Sequence, residues 1–386
     1  MAAQLERTLI GAYADAADLG EALAVAGRVE PGGYDRWQDE WTRAAESAAA
    51  DASAAQVRGL EAIAARAYLR SAEYHRQAYF FLRHDLADPR VRSGYEQQRS
   101  MFRAALPLLD FRAEAISIPF DPAPLPGYLF RPAAAGGQRR PVVVCTGGFD
   151  GTAEELHKYG LRVAVELGWN ALAFDGPGQC GLLVEHGVTM RPDFENVLTP
   201  VLDWLLAQPD TDPDRLLLVG RSLGGYLAPR AAGTDHRIAA LVCDPGQYDF
   251  TSRFRSSFSD ADWQRVLDAD PKLDADLEGF LAKPRDREFY GARMAAMGAG
   301  TFGGWLRALT GYTLAGHAGE ISCATLVTDG EGDFASQSQV LFDALTCEKQ
   351  YRPFTAAQGG GGHLEGMGQR LWQQAAYSWL AEIVSR

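Results

Sequence analysis

With 386 residues, 47% of them hydrophobic and 23% charged, the chain is long enough to bury a sizeable core and lies in the ordinary range of globular proteins. No run approaches the roughly 18 consecutive apolar residues of a membrane span. The net charge of -13 offers no basic field to phosphate backbones or anionic lipid, which argues against nucleic-acid and membrane-surface roles.

Five cysteines without a C-x-x-C pair suit free thiols in a reducing compartment. The opening "MAAQLERTLIGAYADAADLG" lacks the basic and then apolar pattern of a signal peptide, so a cytoplasmic location is expected. The seven histidines show no metal-ligand spacing, and neither a metal nor another cofactor is expected.

In chain order, residues 1–112 form the first unit. The stretch "QVRGLEAIAARAYLRSAEYHRQAYFFL" repeats apolar residues at intervals of three and four, the period of an amphipathic helix, and predicts a helical domain. Residues 113–386 have a different texture. "EAISIPF" and "GYLFRP" alternate as a hairpin does, and the apolar runs "PVVVCTGG", "NALAFDGPG", "RLLLVGRS", "RIAALVCD" and "ATLVTDG" then recur between helical segments. That β-α-β rhythm predicts an α/β fold with a mostly parallel sheet covered on both faces. The stretches 133–138 and 359–362 read as loops. About 80 residues separate "VCD" from "ATLV", more than one crossover needs, so a helical cap insertion is expected at about 249–318. Its many aromatics, among them Trp263, Phe289, Tyr290 and Trp305, suit packing of the cap itself.

Each strand run ends in Gly, Asp or Ser, and the carboxyl ends of parallel strands are where ligands bind. Gly220-Arg221-Ser222-Leu223-Gly224 follows such a run and precedes a helical stretch. G-x-S-x-G in that setting is a nucleophile elbow, which predicts Ser222 as nucleophile. A helix-capping serine would give the same letters; the strand before and the helix after favour the elbow. A serine hydroxyl needs a base, and the base needs an orienting acid, in the chain order Ser, acid, His. His363, in the glycine-rich loop after the last predicted strand "EKQYRPF", is the better base; His317 falls in the cap. Asp329, Glu331 and Asp333 follow "ATLV", and Asp333, one loop beyond the sheet, is preferred. The oxyanion donors expected are the amide of Leu223 and that of Gly148 or Phe149 in "TGGFDGTAEE".

These pieces resemble the α/β-hydrolase superfamily, and within it the branch of dihydroxypseudooxynicotine hydrolase and the fungal pigment hydrolase that shortens a heptaketide. "GGFDGTAEE", "FDGPGQ", "GRSLGGYLAPR" and "TDGEGD" through "GGGGH" carry the resemblance, and "RAYLRSAEYHRQAYFFL" with "SMFRAAL" is similar to the branch's N-terminal helical domain. Two positions depart from the pattern: Cys180 stands where a glycine is usual, and Gly332 where many relatives have a polar residue. The resemblance implies an α/β-hydrolase fold with an N-terminal helical domain. It also implies a serine hydrolase cleaving a carbon-carbon or ester bond of a bulky aromatic or polyketide-like acyl substrate. An acyltransferase or cyclase using the same residues is the second class, and a non-catalytic partner-binding protein of this fold the third. The expected partner is a hydrophobic small molecule, with neither nucleic acid nor membrane, and a homodimer is compatible with these expectations. Tyr74, Tyr79 and Phe80 of the helical domain are the aromatics expected to approach substrate.

Overall fold

The computed structural model describes residues 1–134 and 137–386; Ala135 and Gly136, within the predicted loop 133–138, lie outside the described residues. Eight strands form one sheet: β1 (Arg112–Ile118), β2 (Leu125–Arg131), β3 (Arg140–Thr146), β4 (Asn170–Phe174), β5 (Thr211–Arg221), β6 (Ile238–Asp244), β7 (Ala324–Gly330) and β8 (Lys349–Phe354). Their spatial order is β1-β2-β4-β3-β5-β6-β7-β8. The first two strands run antiparallel to their neighbours, and β4 through β8 pair in parallel.

Side chains alternate across a strand, so a sheet covered on both faces needs apolar residues at every position. In β5, Leu216 and Leu218 pack on one face with the helices Glu195–Leu206 and Gly224–Ala232. Leu217 and Val219 pack on the other with Phe102, Trp372 and Tyr377. The crossover from β6 to β7 carries five α-helices between Ser252 and Leu309. Phe254 meets Trp305, and Tyr290 meets Phe302, with ring centroids 5.2 and 5.3 Å apart, so most of the cap's aromatics hold the cap together.

Five α-helices precede β1. Asp18 and Asp88 cap two of them by accepting from the backbone N–H groups of Glu21 and Arg90, and Pro89 occupies the first turn of the second. Trp37, Trp41, Tyr74 and Phe81 form a cluster internal to this region. Ala64, Tyr68, Leu69, Ala72 and Phe102 instead share a core with Tyr128, Phe130 and Leu156 of the sheet layer. The helical region is therefore part of the wall of the main core. From Ser71 to Tyr79 every residue of the helix Glu61–Tyr79 is buried, polar ones included. Each buried polar group needs a partner. Lys158 Nζ donates to Glu73 at 2.9 Å, and Trp37 Nε1 donates to the Gln77 carbonyl at 2.8 Å. Among the described residues no helix is long and apolar enough to cross a membrane.

Candidate active site

β5 ends at Arg221, and Ser222 then adopts φ 57°, a left-handed conformation that non-glycine residues seldom occupy. Such strain persists only where the surroundings hold it, and it clusters at functional sites. The Ser222 N–H donates to the Asp244 carbonyl at 2.7 Å, and its own carbonyl accepts from the Gly225 N–H at 2.8 Å and from Gln247 Nε2 at 3.0 Å. The turn is so tight that a Cβ on Gly220 would lie 2.0 Å from the Gly224 carbonyl oxygen. Glycine at the first position of the motif is thus a steric requirement.

His363 returns over this turn from a loop in which Leu364 and Glu365 also take left-handed φ, 55° and 57°. Its Nε2 lies 3.0 Å from Ser222 Oγ. Its Nδ1 lies 2.9 and 3.0 Å from the two oxygens of Asp333, whose side chain is fully buried. Asp333 also accepts from the backbone N–H groups of Ala335 (2.7 Å) and Leu364 (3.2 Å). An ionised carboxylate only accepts, so Nδ1 carries the ring proton and Nε2 is left free to take one from the serine hydroxyl. The other two acids of the loop are engaged elsewhere. Tyr351 donates its hydroxyl to Asp329 at 2.7 Å, and Glu331 accepts from the Ala356 N–H at 2.7 Å. His317 pairs with Glu320 at 3.7 Å within its own segment.

The loop after β3 presses on the same turn. A Cβ on Gly148 would lie 2.7 Å from the Leu223 nitrogen and 3.0 Å from Ser222 Oγ, so only glycine fits there. Among the described residues, the amides of Gly148, Phe149 and Leu223 donate to no protein acceptor. Free amide donors beside the Ser222 hydroxyl can receive negative charge developing on a carbonyl oxygen. Aromatic rings border the space. Phe334, 59% exposed, has its centroid 5.0 Å from the His363 ring, and Phe250 of the cap lies 6.4 Å from Phe149.

The three aromatics expected to reach substrate sit elsewhere. Tyr74 is fully buried in the helical cluster and donates its hydroxyl to Glu21 at 2.6 Å. Tyr79 is fully buried against Gly94 and donates to Gln98. Phe80 lies under guanidinium groups, with Arg83 4.1 Å above its ring. The expectation for these residues is corrected: Tyr74 and Tyr79 lie in the fully buried stretch from Ser71 to Tyr79, and Phe80 directly after it is buried too, so all three fill core. Cys180 is buried 3.6 Å from the Tyr79 hydroxyl, and burial, reinforced by the Asp175 charge, pushes its thiol up to about 12. It is held as an inert thiol. Among the described residues no three His, Cys, Asp or Glu side chains form a group able to hold a metal ion.

Sequence reasoning missed the supports beneath the site. Arg221, buried with its guanidinium 3.9 Å over the Trp372 ring, pairs with Asp244 and donates to Gln369 Oε1 at 2.8 Å. Glu365 is fully buried beside Asp244, and neither of its oxygens meets a protein donor among the described residues. Burial, and then the Asp244 charge, pushes the Glu365 carboxyl well above the usual range. Glu365 therefore favours its neutral, protonated form beneath the histidine loop. No sequence signal marks Glu365, which reads as an ordinary loop acid.

No family model matches the chain. A hydrolase of Aspergillus aculeatus, acrC, is 32% identical over 97% of this chain and 94% of its own length. The 20-hydroxy-prefusarin hydrolase of Gibberella moniliformis is 33% identical over 89% of this chain and 87% of its own. Among solved structures, 2,6-dihydroxy-pseudo-oxynicotine hydrolase superposes with a TM-score of 0.77 over 98% of this chain and 95% of that one, at 20% identity, a likeness of fold. With relatives of this identity matched along most of their length, one of them, psoB of Aspergillus fumigatus, named an alpha/beta hydrolase at 32% identity over 92% of this chain, and with the sheet order described above, the chain belongs to the α/β-hydrolase family.

Proposed function

We propose that the chain is a serine hydrolase that cleaves an acyl bond, carbon-carbon or ester, in a bulky aromatic or polyketide-like substrate. The observation that carries this reading is the hydrogen-bonded line from Ser222 Oγ through His363 to the buried Asp333. In this reading Ser222 attacks the substrate carbonyl as His363 Nε2 removes its proton. The tetrahedral oxyanion is received by the Leu223 amide and that of Gly148 or Phe149. The C–C or C–O bond then breaks, and the departing enolate or alkoxide takes the proton from His363. Water, activated by the same imidazole, releases the acid and restores the serine. The aromatic rings at Phe149, Phe250 and Phe334 suit a flat, bulky substrate, and two of the similar proteins are named for an organic substrate, 20-hydroxy-prefusarin and 2,6-dihydroxy-pseudo-oxynicotine.

Labelling with a fluorophosphonate and turnover of an aryl ester test the reading together. Ser222→Ala is expected to abolish labelling and to lower turnover by a factor of about 10⁴ to 10⁶, because the serine and histidine act as a unit. More than a tenth of the wild-type rate remaining would remove Ser222 from the reaction. Offering the same acyl group as an ester and as an aryl 1,3-diketone separates the two bond types by the product released.

A further inference from the structure

The loop Gly147–Gly151 supplies the Gly148 and Phe149 amides, yet three of its five residues are glycine, the residue that loses most freedom on being fixed. Something must hold it. Gln179 Nε2 donates to the Gly147 carbonyl at 2.9 Å, which fixes the entry to the loop. At the exit, every polar atom of Asp150 beyond its amide is held by arginine. Arg83 Nη2, from the helical region, donates to Oδ1 at 2.8 Å, and Arg293 Nη2, from the cap, donates to Oδ2 at 3.1 Å. The Asp150 carbonyl accepts from Arg7 Nη2 at 3.1 Å and from Arg76 Nη2. The clamp is largely shielded from water, with side-chain exposures of 19% for Asp150, 11% for Arg83 and 14% for Arg293. Both outer arginines are themselves braced on rings: Arg83 lies 4.1 Å over Phe80, and Arg293 lies 3.6 Å over Phe289. The other buried acid beside them, Glu288, hydrogen-bonds to neither arginine among the described residues.

We infer that Asp150 is a positioning residue for the oxyanion donors: the helical region and the cap grip its carboxylate from opposite sides and so fix the Gly148 and Phe149 amides against Ser222. A donor displaced by about 1 Å costs on the order of 10²-fold in rate, which is the scale on which such a clamp acts. Burial favours the neutral acid, but Arg293, Arg83 and Arg7 outweigh it and hold the Asp150 carboxyl far below the usual carboxylate range, so the clamp is charged at neutral pH. This assignment gives the helical region a part in the reaction that does not require its aromatics to touch substrate. It rests on the serine-hydrolase reading above.

The test compares wild type, Asp150→Asn, Arg293→Met and Arg293→Lys in hydrolysis of an aryl ester and in inhibition by an arylboronic acid, which adds to a serine as a tetrahedral anion. Asp150→Asn is expected to lower kcat by about 10- to 100-fold with KM within about threefold, and to weaken boronate inhibition by the same factor as kcat. Arg293→Met, which keeps an aliphatic contact with Phe289, carries the same test should Asp150→Asn fail to fold, and Arg293→Lys should recover part of the loss. Wild-type kcat in Asp150→Asn or Arg293→Met, or boronate inhibition unchanged where kcat has fallen, would overturn the clamp while leaving the serine reading intact. A wild type that neither reacts with a fluorophosphonate nor hydrolyses the ester would overturn both.

Discussion

Asp333 shows how much one buried carboxylate does here. It accepts from His363 Nδ1 and from two backbone amides, so both the ring orientation and the loop geometry depend on it. An asparagine in its place keeps the shape but offers an amide NH₂ to one of those positions, which permits the imidazole tautomer whose proton points at Ser222. Asp333→Asn is expected to cost on the order of 10⁴ in kcat while the protein stays folded. Among the described residues Asp329 answers only to the Tyr351 hydroxyl, a bond that asparagine oxygen can also accept, so Asp329→Asn should leave kcat within about threefold. Steady-state hydrolysis of one aryl ester by both variants checks this, and equal losses would move the acid away from Asp333.

At the scale of elements, the short 3₁₀ segment Glu155–Tyr159 links the loop after β3 to the helical region. Its His157 is 2% exposed among Phe102, Phe111 and Phe130, and burial, aided by the Arg162 charge, lowers its pKa to about 4. His75, in the helix Glu61–Tyr79, is lowered to about 4 by burial as well. Both rings are neutral when folded, whereas unfolded histidine titrates near 6.5. Above about pH 6.5 neither contributes to pH dependence. Between about 6.5 and 4 the unfolded chain binds two protons that the folded one refuses, so stability falls by up to ~1.4 kcal/mol per pH unit for each group. His157→Phe should remove one of these contributions, seen as a shallower decline in urea-unfolding free energy from pH 6.5 to 4.5, and an unchanged slope would refute the assignment. The same elements mark what was legible in the sequence. Apolar runs revealed β3 to β7, and the motif around Ser222 with the order of acid and histidine pointed to the three residues that now meet. The helix Glu61–Tyr79 was legible as a helix, but not as one whose second half, from Ser71, is buried on every side. The burial of Glu73, Arg76 and Gln77 was not legible because their partners lie 40 to 85 positions away in the chain. The pairing of Arg221 with Asp244 and the burial of Glu365 beside it were invisible for the same reason, since they bring together residues far apart in the chain.

For the whole molecule, the question is whether the helical region and the sheet can come apart. Lys158 lies between them with its ammonium donating to Glu73 at 2.9 Å and to the Arg7 carbonyl at 2.9 Å, while Glu155 Oε1 lies at 3.0 Å, and all three charged side chains are at most 5% exposed. Replacing such a cluster entirely by apolar residues can be neutral, but removing one member leaves an uncompensated charge in a dry place. Glu155 keeps Arg7 when Lys158 is lost; among the described residues Glu73 keeps only the Gln77 amide. Lys158→Met is therefore expected to destabilise by roughly 3–5 kcal/mol, and adding Glu73→Leu should return part of that loss because the stranded acid is gone. Because the region shares a core with the sheet, the wild type should unfold in one transition. Tryptophans report on every part: Trp37 and Trp41 in the helical region, Trp305 in the cap and Trp372 against the sheet. Their fluorescence and the far-ultraviolet circular dichroism should trace coincident curves in urea. Two separated transitions, or a Lys158→Met variant within 1 kcal/mol of wild type, would mean that the helical region docks as an independent body and that the buried charges do not hold it.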